Sequence, residues 1–255
     1  MGFNEKVQAY LVAQYYRELT GRFGDRGREA FVHATRYYGE QRGRRMAQRA
    51  IRDGRALTLE TYLCYGEWVN TEEVKATGRA NHSRVVSTAP DYIKEVTICP
   101  WHDQFVEMGM EEAGALYCRY IDNSICRGFN PELDYQVPQS LNTAGCCRHI
   151  VTDSHLGEGT FVKRTDGLRG FDYHCAHTYW SFREVAQAVF GQEGTRAAEQ
   201  VLAALAADYG ADMARGLKRY EHTNFNHWDS GPDAVSIPSS IAGTAAPLIL
   251  RAERN

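Results

Sequence analysis

No stretch of this chain approaches the roughly 20 consecutive apolar residues that a membrane-spanning helix needs. The opening MGFNEKVQAY carries no apolar signal region. Gly2 stands where a myristoylation signal begins, but Lys6 occupies the position that signal gives to Ser or Thr. Charge of one sign is also scarce. The 29 Lys and Arg against 32 Asp and Glu leave −3 overall, which argues against nucleic acid as the main partner. There is no G-x-G-x-x-G after a strand and no G-x-x-x-x-G-K-[ST], so nucleotide binding has no motif support. The G-x-S-x-G elbow of serine hydrolases is absent as well. The seven cysteines are odd in number and spaced unlike any small disulfide framework. The expectation is a reduced, cytoplasmic setting in which the thiols are free for chemistry or metal.

What the chain does have is enough length and apolar content, 255 residues at 43% hydrophobic, to bury a full core. Val7, Leu11, Tyr15 and Leu19 recur at four-residue steps and predict a helix over residues 4–20 with one apolar face. After GRFGDRG, residues 28–54 read as a long helix, weakened by Gly39 and Gly43 and stopped by Gly54. TLETYLCYGEWV reads as a third helix with Thr58 as its N-cap. From about residue 82 the pattern changes. SRVVSTA and YIKEVTIC read as two strands turning near Pro90 and Asp91. Residues 103–128 read as helical, in two pieces around Gly109 and Gly114. NPELDYQVPQSLN and CCRHIVTDS suggest another strand pair, GEGTFVKRTDGLRG a polar loop, and two helices follow from about residue 176 to 222.

Runs of helices and strands, rather than strict alternation, predict an α+β fold with a mostly antiparallel sheet of four to five strands flanked by N-terminal and C-terminal helices. With no internal repeat and no linker, one domain over 1–255 is expected. It divides into a helical part (about 1–75), a sheet-containing core (about 80–180), and C-terminal helices with an arm (about 178–255). The apolar stretch Ile241 to Leu250 suits a partner contact, so a homo-oligomer is one expectation.

Arg36, Arg42, Arg44, Arg45, Arg49, Arg52 and Arg55 crowd the second helix, with Glu40 and Asp53 to offset them. With the overall charge slightly negative, a solvated face that pairs with acidic segments such as MEEAG is the favoured reading. A further option is that one or two of these arginines reach a substrate carboxylate, which suits their planar fork.

Three clusters could carry chemistry. In CPWHD, Cys99, His102 and Asp103 follow a strand and open a helix, where free N–H groups favour anions and thiolates. In YCRYIDNSIC, Cys118, Asp122 and Cys126 are four apart and share one helix face. They form either a buried seam or a nucleophilic thiol with an orienting acid. In GCCRHIV, Cys147 and His149 share a strand face, and downstream His174 and His177 lie three apart on a starting helix. Cys99, His102, His174 and His177 would supply four zinc ligands in number and type, although no C-x-x-C or H-E-x-x-H accompanies them. His222 and His227 at the end of the last helix read as capping residues.

The segments RYYGEQRGRRMAQRAIRDG, ICPWHDQFVEMG, LYCRYIDNSICRGFNP, LNTAGCCRHIV and DYHCAHTYW, in that order, resemble the L-2-amino-thiazoline-4-carboxylic acid hydrolase family over most of residues 30–180. The resemblance implies hydrolytic opening of a small heterocycle at a C–N bond, giving an N-carbamoyl amino acid in the family's named case. It points to Cys118, Asp122, Gly145 and Cys147, with His174. Cys146 after that glycine departs from the family pattern and leaves the second cysteine as either 146 or 147. The working assignment is Cys118 as nucleophile, His174 or His102 as acid/base and Asp122 as orienting acid, with Cys147, His149, His177 and Asn130 binding a small heterocyclic substrate. No cofactor, nucleic acid or membrane partner is expected. The alternatives are a zinc-activated water and a non-enzymatic small-molecule-binding domain.

Overall fold

The computed structural model describes residues 2–157, 159–229 and 248–250. Its first helix, α1 (Glu5–Phe23), is N-capped by Asn4, whose side chain accepts the Val7 N–H. The four-residue stripe predicts one buried face, but the helix is enclosed nearly all round, with Gln8, Tyr10, Val12, Ala13 and Gln14 buried beside the stripe. The cause is the number of its neighbours: α2 (Asp25–Arg52), α5 (Pro100–Glu107), α6 (Glu111–Phe129), α7 (Phe171–Phe190) and α8 (Gln192–Tyr209) all pack on it. Gln8 shows how the polar members tolerate burial. Its amide nitrogen donates to Tyr38 at 2.6 Å and Thr178 at 3.0 Å, and its oxygen accepts from the Trp101 indole at 3.2 Å.

Helix α2 runs unbroken through Gly39 and Gly43, and its crossing with α6 explains both residues. A Cβ on Gly43 would lie 2.0 Å from the Ile125 carbonyl oxygen, and one on Gly39 2.8 Å from Ser124 Cβ. From the other side, a Cβ on Gly128 would lie 2.3 Å from the Glu40 carbonyl oxygen. The glycines let two backbones touch, and this close packing offsets the helix-propensity cost of about 1 kcal/mol each. Helix α6, which carries Cys118 and Asp122, is thereby clamped to α2, which carries Arg42.

Helix α3 (Leu59–Cys64) is capped by Thr58 as the sequence predicts, but it stops at Cys64, so Glu67 and Trp68 fall in the loop beyond. A short α4 (Glu72–Ala76), capped by Thr71, follows without having been signalled by periodicity. The strands β1 (His82–Ser87), β2 (Tyr92–Ile98), β3 (Tyr135–Gln139) and β4 (Cys147–Val151) form a sheet of order β1-β2-β4-β3, every neighbouring pair antiparallel. The α+β expectation therefore holds. The polar loop contributes β5 (Gly159–Phe161), which pairs with β6 (Leu248–Leu250) in a separate two-stranded ribbon. Residues 241–247 of the expected arm lie outside the described residues.

Period two sorts the main sheet. Tyr92, Tyr135, Val137 and Val151 pack with Cys126 of α6 in one buried cluster, so Cys126 belongs to the seam between helix and sheet. The opposite face carries Glu95, which pairs with Arg84 and Arg148. Gly109, at φ +61°, breaks the chain between α5 and α6, while Gly114 lies within α6. Gly210, at φ +94°, divides what reads as one final helix into α8 and α9 (Ala211–Lys218). Among the described residues no helix is long and apolar enough to cross a membrane.

Candidate active site

Cys118 and Asp122 lie one turn apart on α6, the helix that packs on β3. The Cys118 thiol accepts a hydrogen bond from the Asn142 side-chain amide at 3.6 Å. Asn142 Oδ1 in turn lies 3.0 Å from His102 Nδ1, which must donate to it. Gly114, one turn before Cys118, makes room for this amide, since a Cβ there would sit 2.6 Å from Asn142 Oδ1. His102 stands in the first turn of α5, whose N-cap is Cys99. The order is thus His102, Asn142, Cys118, and His102 reaches the sulfur only through Asn142.

Burial pushes the Cys118 thiol well above its ordinary pKa, and the nearby Cys99, Cys147 and Asp122 add to this against the weaker pull of Asn142. Cys147 is pushed up to about 12, again chiefly by burial, although the Leu141 N–H points at its sulfur from 3.3 Å. The two adjacent cysteines face opposite ways. Cys147 takes the inner face beside Asp122, while Cys146 Sγ receives the Gln139 amide at 3.4 Å.

Strand register completes the cluster. Lys94 on β2 stands opposite His149 on β4, and Val96 opposite Cys147, so Lys94, Cys147 and His149 share the inner face. Burial lowers the Lys94 pKa, opposed by the charge of Asp122 and by Cys147. His149 is held by the Tyr135 hydroxyl at 2.9 Å, and burial together with Lys94 brings its pKa down to about 4.

His174 and His177 lie against a buried arginine cluster. Glu67 is fully buried and takes both forks of Arg45 (3.0 and 2.7 Å) and two N–H groups of Arg49 (3.0 Å each). His174 lies beside this cluster, its Nε2 donating to the Glu67 carbonyl at 3.2 Å, and burial with the nearby Arg42 charge brings its pKa down to about 3. His177 is enclosed by Arg45 at 3.4 Å, Gln41 at 2.9 Å and the stacked ring of Phe225. His174 and His177 thus touch the arginine cluster, and among the expected histidines His102 is the one linked to Cys118 by hydrogen bonds, through Asn142. Asn130 is likewise committed, donating to the Leu57 carbonyl at 2.8 Å and accepting the Glu132 N–H. Asp103 pairs with Arg79 at the surface.

The four expected zinc ligands are split in the same way, Cys99 and His102 on α5 and His174 and His177 on α7. Among the described residues no three His, Cys, Asp or Glu are arranged to hold a metal ion. The arginine-rich face also differs from its sequence reading. Arg42, Arg45 and Arg49 are buried around Glu67, and of the MEEAG carboxylates Glu112 meets Arg28 of α2 at 3.8 Å.

The burial of His149 and His174 makes stability depend on pH in the acid range. Their pKa values lie below the ordinary 6.5, so their contribution is complete above about pH 6.5, where folded and unfolded states are both neutral. It is lost as pH falls, because the unfolded chain takes up protons that the folded chain refuses. His149 alone should forfeit roughly 3 kcal/mol by pH 4. Urea midpoints measured across pH 7.5 to 4 should fall steeply below 6.5, and a flat profile would contradict this burial.

The α+β fold thus gathers three thiols, a carboxylate, a lysine and an amide between one helix and the face of an antiparallel sheet. Residues 4–150, more than half of the chain, match the L-2-amino-thiazoline-4-carboxylic acid hydrolase family, and the chain belongs to it. No curated protein and no solved structure matches it significantly. The matched span includes Arg42, Glu67, Lys94, Cys99, Cys118, Asp122, Asn142 and Cys147, and leaves His174 and His177 outside.

Proposed function

We propose that the protein is a hydrolase that opens a small amidine-like heterocycle, with Cys118 as nucleophile and Asp122 holding the ring. The observation that carries this reading is the grouping of Cys118, Asp122, Cys147 and Lys94 between α6 and the inner sheet face, with Asn142 fixed on the sulfur by His102. Membership of a hydrolase family supports the reaction class.

The free thiol is held protonated, so the substrate must help to ionise it. An amidine nitrogen is basic enough to take the Cys118 proton, giving a thiolate beside an amidinium that Asp122 pairs with. The thiolate adds to the carbon between the nitrogens, and the ring bond to the leaving atom breaks. In a 2-amino-thiazoline that leaving atom is the ring sulfur, which departs as a thiol. An N-carbamoyl product keeps both C–N bonds of the amidine carbon, so a C–S bond is the one lost in this case. In an amidine-like ring whose leaving atom is nitrogen, the same sequence breaks a C–N bond. Water then adds to the isothiourea on Cys118. Its oxygen becomes the carbonyl, one hydrogen returns to the sulfur and the other stays on nitrogen.

Incubation with 2-amino-thiazoline-4-carboxylate tests this, with free thiol followed by a chromogenic disulfide and the product by mass. The expected result is one thiol released per ring and a product heavier by one water. Unchanged ring after prolonged incubation with the protein would overturn the reading.

A further inference from the structure

The turn between β3 and β4 aims two N–H groups at two sulfurs. The Leu141 backbone N–H points at Cys147 Sγ from 3.3 Å, and the Asn142 side-chain amide at Cys118 Sγ from 3.6 Å. The turn is held by its own bonds. The Thr143 and Ala144 N–H groups both donate to the Ser140 carbonyl at 2.8 Å, and the Ser140 N–H donates to Thr143 Oγ1 at 3.1 Å. The Asn142 amide is packed against Gly114, where a Cβ would stand 2.6 Å from Oδ1 and 2.7 Å from the Phe105 ring. Its oxygen accepts from His102 Nδ1 at 3.0 Å.

An asparagine amide has a donor end and an acceptor end, and the end that faces a thiol decides which form of the thiol it favours. With its N–H on the sulfur it favours the thiolate, because a hydrogen bond to a charged group is about twice as strong as one to a neutral group. Turned over, its oxygen would accept the S–H and favour the neutral thiol. His102 discriminates between the two. An Nδ1–H, in the neutral ring or in the imidazolium, is satisfied by Oδ1 and would oppose the amide N–H, so it holds the donor end on Cys118. Among the described residues His102 Nε2 has no hydrogen-bond partner, so Oδ1 is the one group its ring bonds to. Burial holds the free Cys118 thiol protonated, and the Asn142 N–H pulls against that burial.

We propose that Asn142 is a catalytic residue, the donor that stabilises the Cys118 thiolate, and that His102 is a positioning residue that keeps the donor end of this amide on the sulfur. In turnover the donor favours ionisation before attack, and it favours departure of the same sulfur when water resolves the adduct. The part played in turnover rests on the ring-opening reading, whereas the donor to the sulfur rests on the geometry alone.

The test is the rate of Cys118 alkylation by iodoacetamide, read on its own peptide by mass, alongside kcat and KM for 2-amino-thiazoline-4-carboxylate. Asn142→Leu and Asn142→Asp keep the size of the side chain and lose its N–H. His102→Leu removes the donor to Oδ1, while His102→Asn places an amide N–H where Nδ1 stands. Losing a hydrogen bond to a charged group corresponds to about ten- to a hundredfold in rate. Both Asn142 variants should slow alkylation at least tenfold and lower kcat by a similar factor, with KM within about threefold. His102→Leu should do the same, and His102→Asn should recover most of the loss. His102 is partly exposed, so this second pair carries the test if the Asn142 variants fall short of the wild-type thermal midpoint.

Alkylation and kcat within twofold of wild type in the Asn142 variants would overturn the donor role, and slowed alkylation with kcat unchanged would overturn its part in catalysis. Equal losses in His102→Leu and His102→Asn would overturn the positioning role. Slowed alkylation in a protein that opens no ring upholds the donor and overturns the ring-opening reading. Ring opening at a rate indifferent to Asn142 does the reverse.

Discussion

Glu67→Gln should cost about 4 kcal/mol of stability, the scale expected when one partner is removed from a buried ion cluster. Glu67 has no exposed surface, and Arg45 and Arg49 converge on it with almost none of their own. Glutamine keeps the shape and one acceptor but leaves three buried arginines without their shared charge. For a chain of this size the loss corresponds to roughly 10 °C in Tm, against a total stability of about 5–15 kcal/mol. Differential scanning calorimetry reads it directly. A shift under about 2 °C would mean that the arginines find other counterions and that the cluster is not a keystone of the fold. Because His174 and Phe225 attach to the same cluster, a large loss should be accompanied by loosening of α7 against α2.

Cys118→Ala should lower turnover about a thousandfold or more, the scale seen when a covalent nucleophile is removed while binding is left in place. The Tm should move by only a few degrees, since the change removes one small sulfur that makes a single long hydrogen bond. Binding of the ring should stay within a few-fold, because Asp122 remains. Cys99→Ala and Cys147→Ala serve as controls, since both thiols share the cluster and are held protonated by burial. Retention of more than a tenth of the activity in Cys118→Ala, with loss in either control, would move the nucleophile to that residue.

Much of this arrangement was legible in the sequence for physical reasons that apply locally. Four-residue spacing placed Cys118 and Asp122 on one helix face, and two-residue spacing placed Cys147 with His149. What spacing could not supply was register between distant segments. His174 and His177 had the right residue types for a catalytic or metal role, but α7 sets His174 against the Glu67 backbone carbonyl in the loop after α3 and His177 against Arg45. That loop itself reads as helix from composition.

Two residues of the site were missed. Lys94 left a signal, because a lysine between Tyr92 and Val96 on the buried face of a strand breaks the alternation and asks for a partner. Asn142 left little, since an asparagine in a turn is ordinary and its contact with Cys118 depends on Gly114 letting the loop approach α6. Gly39 and Gly43 illustrate the converse. Propensity counts them against a helix, and only the contact with α6 reveals why α2 needs them.

The central claim is that Cys118 forms a covalent bond to the ring carbon. Rapid acid quench of the working enzyme, followed by intact-mass and peptide analysis, tests it most directly. The expected result is a population heavier by the full mass of the substrate, located on the Cys118 peptide and disappearing as the carbamoyl product forms. An unmodified Cys118 throughout turnover, or an adduct on Cys99 or Cys147 instead, would contradict the account.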